Sequence, residues 1–292
     1  MAEPLEPVLV IGASGMLARA FALALDRRGA KFVAIDVPDV DLRDPASIER
    51  AVAREYRTVL NCAAYTDVDG AETNEAVATA INGTGVGALA ARCEQTGALL
   101  VHYSTDYVFA GDAEEPYKVD EARAPLNAYG RSKAEGELLI ERSGARHLLL
   151  RTSWLYAPWG KNFVLTMREL TRTKDAINVV ADQVGRPTSA EYLALRTLAL
   201  IEAGATGTFH VTDGGQCSWH EFASTIAQLT GSQCRVDPCT SAEFVRPARR
   251  PAYSVLDLAP TEALIGPSRP WQENLRAVLE AVRMAEARAN PT

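Results

Sequence analysis

An α/β fold is predicted, a doubly wound parallel sheet with a smaller C-terminal lobe. Three observations predict it. Short apolar runs alternate with longer helical patterns through the first half of the chain. A glycine-rich turn follows the first of these runs. After Trp154 the alternation gives way to shorter segments with frequent proline and glycine.

The apolar runs fall at residues 8–11, 32–35, 58–62, 99–103 and 147–150. Compact runs of this kind suit strands buried on both faces. Helical patterns lie between them, at 16–28, 45–56, 75–96 and 128–142. Repeated strand–helix–strand units imply parallel strands with helices on both sides. Beyond Pro158, Gly160, Gly185 and Pro187, a helix near 190–203 and a strand at 208–211 read as a return to the sheet. The expected division is a sheet domain over 1–153, completed by about 189–213. A second lobe takes 154–188 and 214–292, with a cleft between the two.

The chain has 292 residues, 47% hydrophobic and 23% charged, enough for a full core. Its net charge of -7 disfavours nucleic acid as a partner, because phosphate binding needs cationic surface. The opening MAEPLEP lacks the basic and apolar regions of a signal peptide. No apolar stretch approaches the ~20 residues that span a bilayer, so no membrane role is expected. The five cysteines are scattered, and Cys234 and Cys239 lack a second Cys/His pair to complete a zinc site. Reduced thiols in a cytoplasmic protein are the expectation, with no metal.

The first strand leads into Gly12-Ala13-Ser14-Gly15-Met16-Leu17-Ala18. Glycines at Gly12 and Gly15 let backbone, with Ser14 between them, approach a pyrophosphate at the positive end of a helix. Ala18 is small enough for close helix–strand packing. The pattern alone also fits an ordinary strand–helix turn. Asp36 follows the second strand, where a carboxylate accepts hydrogen bonds from an adenosine ribose. There it would repel a 2′-phosphate, so NADH is the expected cofactor, with NADPH possible. A solvated aspartate is the other reading, since Asp36, Asp39, Asp41 and Asp44 cluster. The sheet is thus expected to be Rossmann-type.

A second motif opens the fourth helix. Tyr129 and Lys133, four residues apart, share one helical face with Gly136 and Ile140. A glycine inside a helix costs roughly 1 kcal/mol against alanine, which points to close packing at Gly136. A phenol with an ordinary pKa near ~10 needs a neighbouring cation to serve acid–base chemistry at neutral pH. Tyr129 would give its proton to a carbonyl oxygen as hydride arrives at carbon, and Lys133 would lower its pKa and bind the nicotinamide ribose. A Y-x-x-x-K pair is common on helices; the glycine turn upstream selects the catalytic reading.

Further segments are Asn61-Cys62-Ala63-Ala64-Tyr65-Thr66-Asp67-Val68-Asp69-Gly70-Ala71-Glu72 and Ser104-Thr105-Asp106-Tyr107-Val108-Phe109. Downstream lie Arg151-Thr152-Ser153-Trp154, Asp182-Gln183-Val184-Gly185-Arg186-Pro187-Thr188, Ser218-Trp219-His220-Glu221-Phe222 and Arg250-Pro251-Ala252-Tyr253-Ser254. With the glycine turn and the Tyr129 helix, these resemble the extended short-chain dehydrogenases, and among them the dTDP-4-dehydrorhamnose reductase family, over nearly the whole length. The resemblance implies reduction of a dTDP-linked 4-keto-6-deoxyhexose, a nucleotide-sugar substrate. It implies Thr105 as the third catalytic residue beside Tyr129 and Lys133. Gly15, Met16 and Leu17 would hold the pyrophosphate. Asp36, Asp41 and Leu42 would border the adenosine, while Ala63, Ala64, Tyr65 and Thr66 would pass beside the cofactor. Val68, Asp69, Thr105, Asp106 and Trp154 would line the substrate pocket.

The chain departs from the family pattern at Ala18 (usually glycine), Ala110 (usually aspartate), Gly70 (usually lysine) and Tyr253 (usually asparagine). The arginines at 246, 249 and 250 have two readings, a contact to the substrate diphosphate or a solvated cluster. Some relatives hold magnesium through glutamates at a dimer contact. The resemblance therefore leaves a homodimer possible, while Glu191 alone does not carry a metal site. Two other functions stay open: a nucleotide-sugar dehydratase or epimerase, and a non-catalytic subunit like the methionine adenosyltransferase regulatory subunit. Dehydratases carry an acidic residue directly after Thr-Asp, where this chain has Tyr107.

Overall fold

Six parallel strands form the centre of the computed structural model, which describes residues 5–289. They are β1 (Val8–Ile11), β2 (Phe32–Ile35), β3 (Thr58–Asn61), β4 (Leu99–Thr105), β5 (His147–Thr152) and a sixth, Gly207–His210. Their spatial order is Gly207–His210, β5, β4, β3, β1, β2. Every residue of β1, β3 and β4 is buried, because helices cover both faces. Met16–Arg27 and Ala190–Glu202 pack on one side through Phe21, Leu25, Leu193 and Leu198. The other side is filled by Ile48, Val86, Leu89 and Ile140. At the edge, Val33 and Ala34 of β2 are exposed.

The chain goes outward from β1 to β2, then returns to place β3 on the other side of β1. Such a reversal opens a crevice at the carboxyl ends of the strands. That crevice is where the predicted residues gather.

The expected elements are present with shifted ends. Strands β4 and β5 each run two residues further, to Thr105 and Thr152. The helix expected over 45–56 stops at Ala51, where the Val52 carbonyl accepts from Arg92 Nε at 2.9 Å instead of continuing the ladder. The helix over 75–96 is continuous but holds a π-helical turn, Ala80–Thr84. Gly136 does provide close packing: a Cβ there would collide with the Asn82 carbonyl oxygen of the π turn.

Past Trp154, Ala176–Val180 pairs in parallel with Arg235–Cys239. Phe163–Thr173, Trp219–Leu229 and Trp271–Ala289 bury a separate core around Tyr156, Phe222 and Trp271. Within the C-terminal stretch, Ala259–Ile265 returns to the sheet: Thr261 Oγ1 donates to His210 O at 2.7 Å, and Arg196 donates to the carbonyls of Ile265 and Gly266. The first four residues of the MAEPLEP opening lie outside the described residues. No helix among the described residues is long and apolar enough to cross a membrane.

Candidate active site

A cleft of about 810 Å³ lies over the carboxyl ends of β1, β3 and β4. Its floor at one end is the turn after β1. Gly12 has φ 90° and donates to Ile35 O at 2.9 Å; a Cβ there would sit 2.8 Å from the Ala63 nitrogen. Only glycine fits. Gly15 caps Met16–Arg27, whose first turn has no acidic side chain; the Asp36 carboxylate stands beside that end, on Ser14. Gly12, Ser14, Gly15, Met16 and Leu17 all face the cleft. Trp159 Nε1 donates to Met16 O at 3.1 Å and pins the start of the helix, packed against the same core as Leu17 and Phe21.

Asp36, Asp41 and Leu42 lie at the same end. Asp36 Oδ2 accepts from Ser14 N at 2.9 Å and Ser14 Oγ at 2.6 Å, and Oδ1 accepts from Val37 N. Desolvation pulls this carboxyl up, but the hydrogen bonds from Ser14 and Val37 outweigh it and hold it below the usual range. Asp36 is therefore no free solvated side chain. Asp41 is held low by the exposed Arg43 beside it.

The middle of the cleft is lined by Ala63, Ala64, Thr66 and Val68. Tyr65 turns away from it, and its ring packs with Ala71, Ala78, Ala128 and Tyr129. The Tyr65 backbone is clamped by Asn82, which accepts its N–H and donates to its carbonyl, each at 2.9 Å. Asn82 also donates to Ser132 Oγ at 3.0 Å, tying this loop to the Tyr129 helix.

At the far end stand Thr105, Asp106, Tyr129, Lys133 and Trp154. Thr105 ends β4; its hydroxyl donates to Asp106 Oδ1 at 2.9 Å, accepts from Tyr107 N at 3.2 Å, and lies close enough to the Tyr129 phenol to pull its pKa down. Asn127 caps Ala128–Arg142 by accepting from Gly130 N, which starts the helix one residue before Tyr129. Burial, with the Asp106 charge second, pushes the Tyr129 phenol up. The expected lowering by Lys133 is not found. Lys133 Nζ instead donates to Tyr103 O at 2.5 Å and lies 3.3 Å from His102 Nε2. Desolvation brings Lys133 down to about 8 and raises Asp106 to about 6.

Asp69 stands outside the cleft lining because it faces the arginines. Its carboxylate binds Arg246 at 2.8 Å and Arg250 at 3.1 Å. Arg250 also lies over the Tyr107 ring, which meets Tyr129 edge-on at 6.0 Å. Arg249 uses its carbonyl, accepting from Asn127 Nδ2. Two of the three arginines are thus ordered by Asp69 rather than freely solvated. At Gly70 a Cβ would meet the Asp67 carboxylate and come within 2.9 Å of Tyr65 Oη, so a larger residue there requires these side chains to move.

Trp154 has φ 47°, a left-handed conformation that costs a non-glycine residue on the order of 1 kcal/mol or more. It stacks on Trp219 with ring centroids 3.5 Å apart, above Gly185, where a Cβ would come within 2.7 Å of the indole. The bare glycine lets the ring lie flat against the cleft wall.

The match to known sequences runs nearly end to end. The RmlD substrate binding domain family matches residues 6–284. The chain belongs to that family. It is 42% identical to a dTDP-4-dehydrorhamnose reductase of Streptomyces griseus, over 91% of each chain. It is 40% identical to the crystal structure of a dTDP-4-dehydrorhamnose reductase of Clostridium acetobutylicum, with a TM-score of 0.91 over 95% of this chain and 99% of that one. A dTDP-4-dehydrorhamnose reductase of Bacillus anthracis, solved in complex with NADP, is 35% identical with a TM-score of 0.90, over 94% of this chain and 98% of that one.

Sequence reasoning missed three side chains that shape this RmlD-family cleft. Asn82 sits inside a helical pattern, and only the π turn would have marked it. His102 lies in an apolar strand run and reads as core. Ser254 reaches Asp106 from the C-terminal segment, a contact between residues far apart in the chain.

Proposed function

We propose that this chain is an NAD(P)H-dependent reductase of the 4-keto group of a dTDP-4-keto-6-deoxyhexose, the dTDP-4-dehydrorhamnose reductase reaction of dTDP-L-rhamnose biosynthesis. The observation that carries this reading is that Thr105, Tyr129 and Lys133 come together at one end of a cleft floored at the other by Gly12 and Gly15. The relatives named above support the substrate class.

The site's residues fit a dinucleotide. The tight Gly12 turn against Ala63 and the helix N-terminus after Gly15, both lining the cleft, suit a pyrophosphate. Asp36, Asp41 and Leu42 suit the adenosine end, with Ala63, Ala64, the backbone of Tyr65 and Thr66 as the wall beside the cofactor. When bound, the nicotinamide supplies the hydride. The protein supplies the proton. Burial keeps Tyr129 protonated at neutral pH, the form a reductase needs to deliver a proton to the developing alkoxide. The Thr105 hydroxyl orients the same carbonyl oxygen. Lys133, largely an ammonium below about 8, binds the nicotinamide ribose beside the phenol. Val68, Asp106 and Trp154 border the sugar, and Asp69 acts through Arg250.

The cofactor domain in this reading is 1–153 completed by 189–213, and the remaining segments form the substrate lobe, in a cytoplasmic enzyme open to homodimer formation. Tyr129→Phe tests the assignment. It keeps the ring's packing, removes the acid, and is expected to cut turnover ~10²- to 10⁴-fold while leaving NADH affinity near wild type. Undiminished turnover by the folded variant would sink it.

A further inference from the structure

Behind Lys133, and not facing the cleft, stands His102. Parallel pairing of β3 and β4 sets Asn61 beside it, with Asn61 Nδ2 3.0 Å from His102 Nδ1. The other ring nitrogen lies 3.3 Å from Lys133 Nζ. None of the three side chains is more than 2% exposed. Water therefore does not mediate between them, and each polar atom depends on its neighbour.

The amide decides the tautomer. Asn61 Oδ1 accepts the Ala63 N–H at 3.3 Å, which directs the Asn61 NH₂ at His102 Nδ1. An NH₂ only donates, so Nδ1 accepts and the imidazole proton sits on Nε2, facing Lys133. An ammonium has no lone pair to receive that proton. A neutral amine does, and it can still donate to Tyr103 O.

We propose that the Asn61–His102 pair is a positioning device for Lys133 that disfavours its ammonium form and so sets the alkaline limit of the reduction. The effect on rate rests on the function proposed above; the tautomer does not. Burial lowers Lys133 in the same direction, down to about 8. The other groups around it leave this role to His102. Glu137, one turn along the same helix, favours the ammonium but is already bound by Arg151 and Arg123. Burial keeps Tyr129, Tyr103 and Cys62 protonated well above neutral pH. Asp106, past the end of β4, is anionic throughout the alkaline range. His102 stays neutral, because burial and the Lys133 charge hold its pKa well below the ordinary value.

Reduction needs the ammonium, so kcat falls as pH rises through the Lys133 pKa. His102→Gln offers an amide oxygen in place of Nε2–H and is expected to move the alkaline limb of kcat upward by about one pH unit, with KM for NADH changed less than kcat. A variant that is slower at every pH with its limb unmoved would reduce His102 to a packing residue and overturn the proposal. Imidazole ¹⁵N NMR of the wild-type protein, with His147, His210 and His220 assigned by substitution, is a second test independent of turnover. It is expected to find His102 protonated at Nε2. Protonation at Nδ1 overturns the proposal, even if the enzyme proves to be the expected reductase.

Discussion

Asp36 holds Ser14 twice, accepting its backbone N–H at 2.9 Å and its hydroxyl at 2.6 Å. The turn that would receive the pyrophosphate is thereby tied to the carboxylate that would meet the ribose. Because these bonds keep Asp36 ionised through the neutral range, a 2′-phosphate meets a fixed negative charge. Wild-type kcat/KM is expected to be higher with NADH than with NADPH, and Asp36→Ala to narrow that ratio by roughly tenfold, the equivalent of about 1.4 kcal/mol. A strong wild-type preference for NADPH would show that another residue governs the choice.

Glu137 is fully buried, bound by Arg151 Nη2 at 2.7 Å and by Arg123 Nε at 2.5 Å. Burial alone would raise this carboxyl, yet the hydrogen bond and charge of Arg151 hold it below its usual range. Glu137→Gln keeps the shape and leaves Arg151, only 2% exposed, without its carboxylate, while Arg123 keeps Glu141. Removing one partner of such a pair costs about 3–5 kcal/mol. Urea unfolding at pH 7 measures it, and a loss below about 1 kcal/mol would contradict the buried network.

Asp213 is wholly buried, accepting from Tyr156 Oη at 3.0 Å and from Ser189 N. Desolvation raises it from 3.8 to about 7. Between those values the folded state holds a proton that the unfolded state has released. Its contribution to stability is therefore complete at low pH and is lost as pH rises toward 7. Asp213→Asn should lack this slope, so wild type should lose up to about 1.4 kcal/mol per pH unit relative to the variant across the window. Asp106 and His210 titrate in both proteins and cancel in the difference. Parallel stability–pH profiles would refute the assignment.

The sheet was legible in the sequence because its strands are compact apolar runs, buried throughout in β1, β3 and β4 although β2 lies exposed at the edge. Val8–Ile11 and Phe32–Ile35 form with the bounds their apolar runs suggest. The helix end after Ala51 was not legible, since Ile48, Val52 and Tyr56 continue an apolar spacing and the terminator is a distant arginine. Nor was the parallel pairing of Ala176–Val180 with Arg235–Cys239, which joins segments some fifty residues apart. At the site, Tyr129 and Lys133 were readable from helical spacing and Gly12 from turn chemistry. The direction in which Lys133 points was not: it follows from His102 and the Tyr103 carbonyl, which a strand pattern presents only as core. The facing of Tyr65 and Asp69 was not legible for a similar reason, because neighbours distant in sequence decide which way each side chain turns.

The most direct test of reduction is the stoichiometry of NADH oxidation with a dTDP-4-keto-6-deoxyhexose, with the product identified by NMR. Tyr107 follows Thr105-Asp106 where a dehydratase carries an acid, and burial pushes its phenol above even the ordinary value near 10. It is therefore unsuited to expelling a C6 hydroxyl. Reduction asks only for one hydride and the Tyr129 proton. The expected result is one NADH consumed per 4-keto group reduced, and no loss of water from dTDP-glucose. Conversion of dTDP-glucose to its 4-keto-6-deoxy product without net cofactor consumption would contradict the account, as would cofactor binding with no turnover of any keto-sugar.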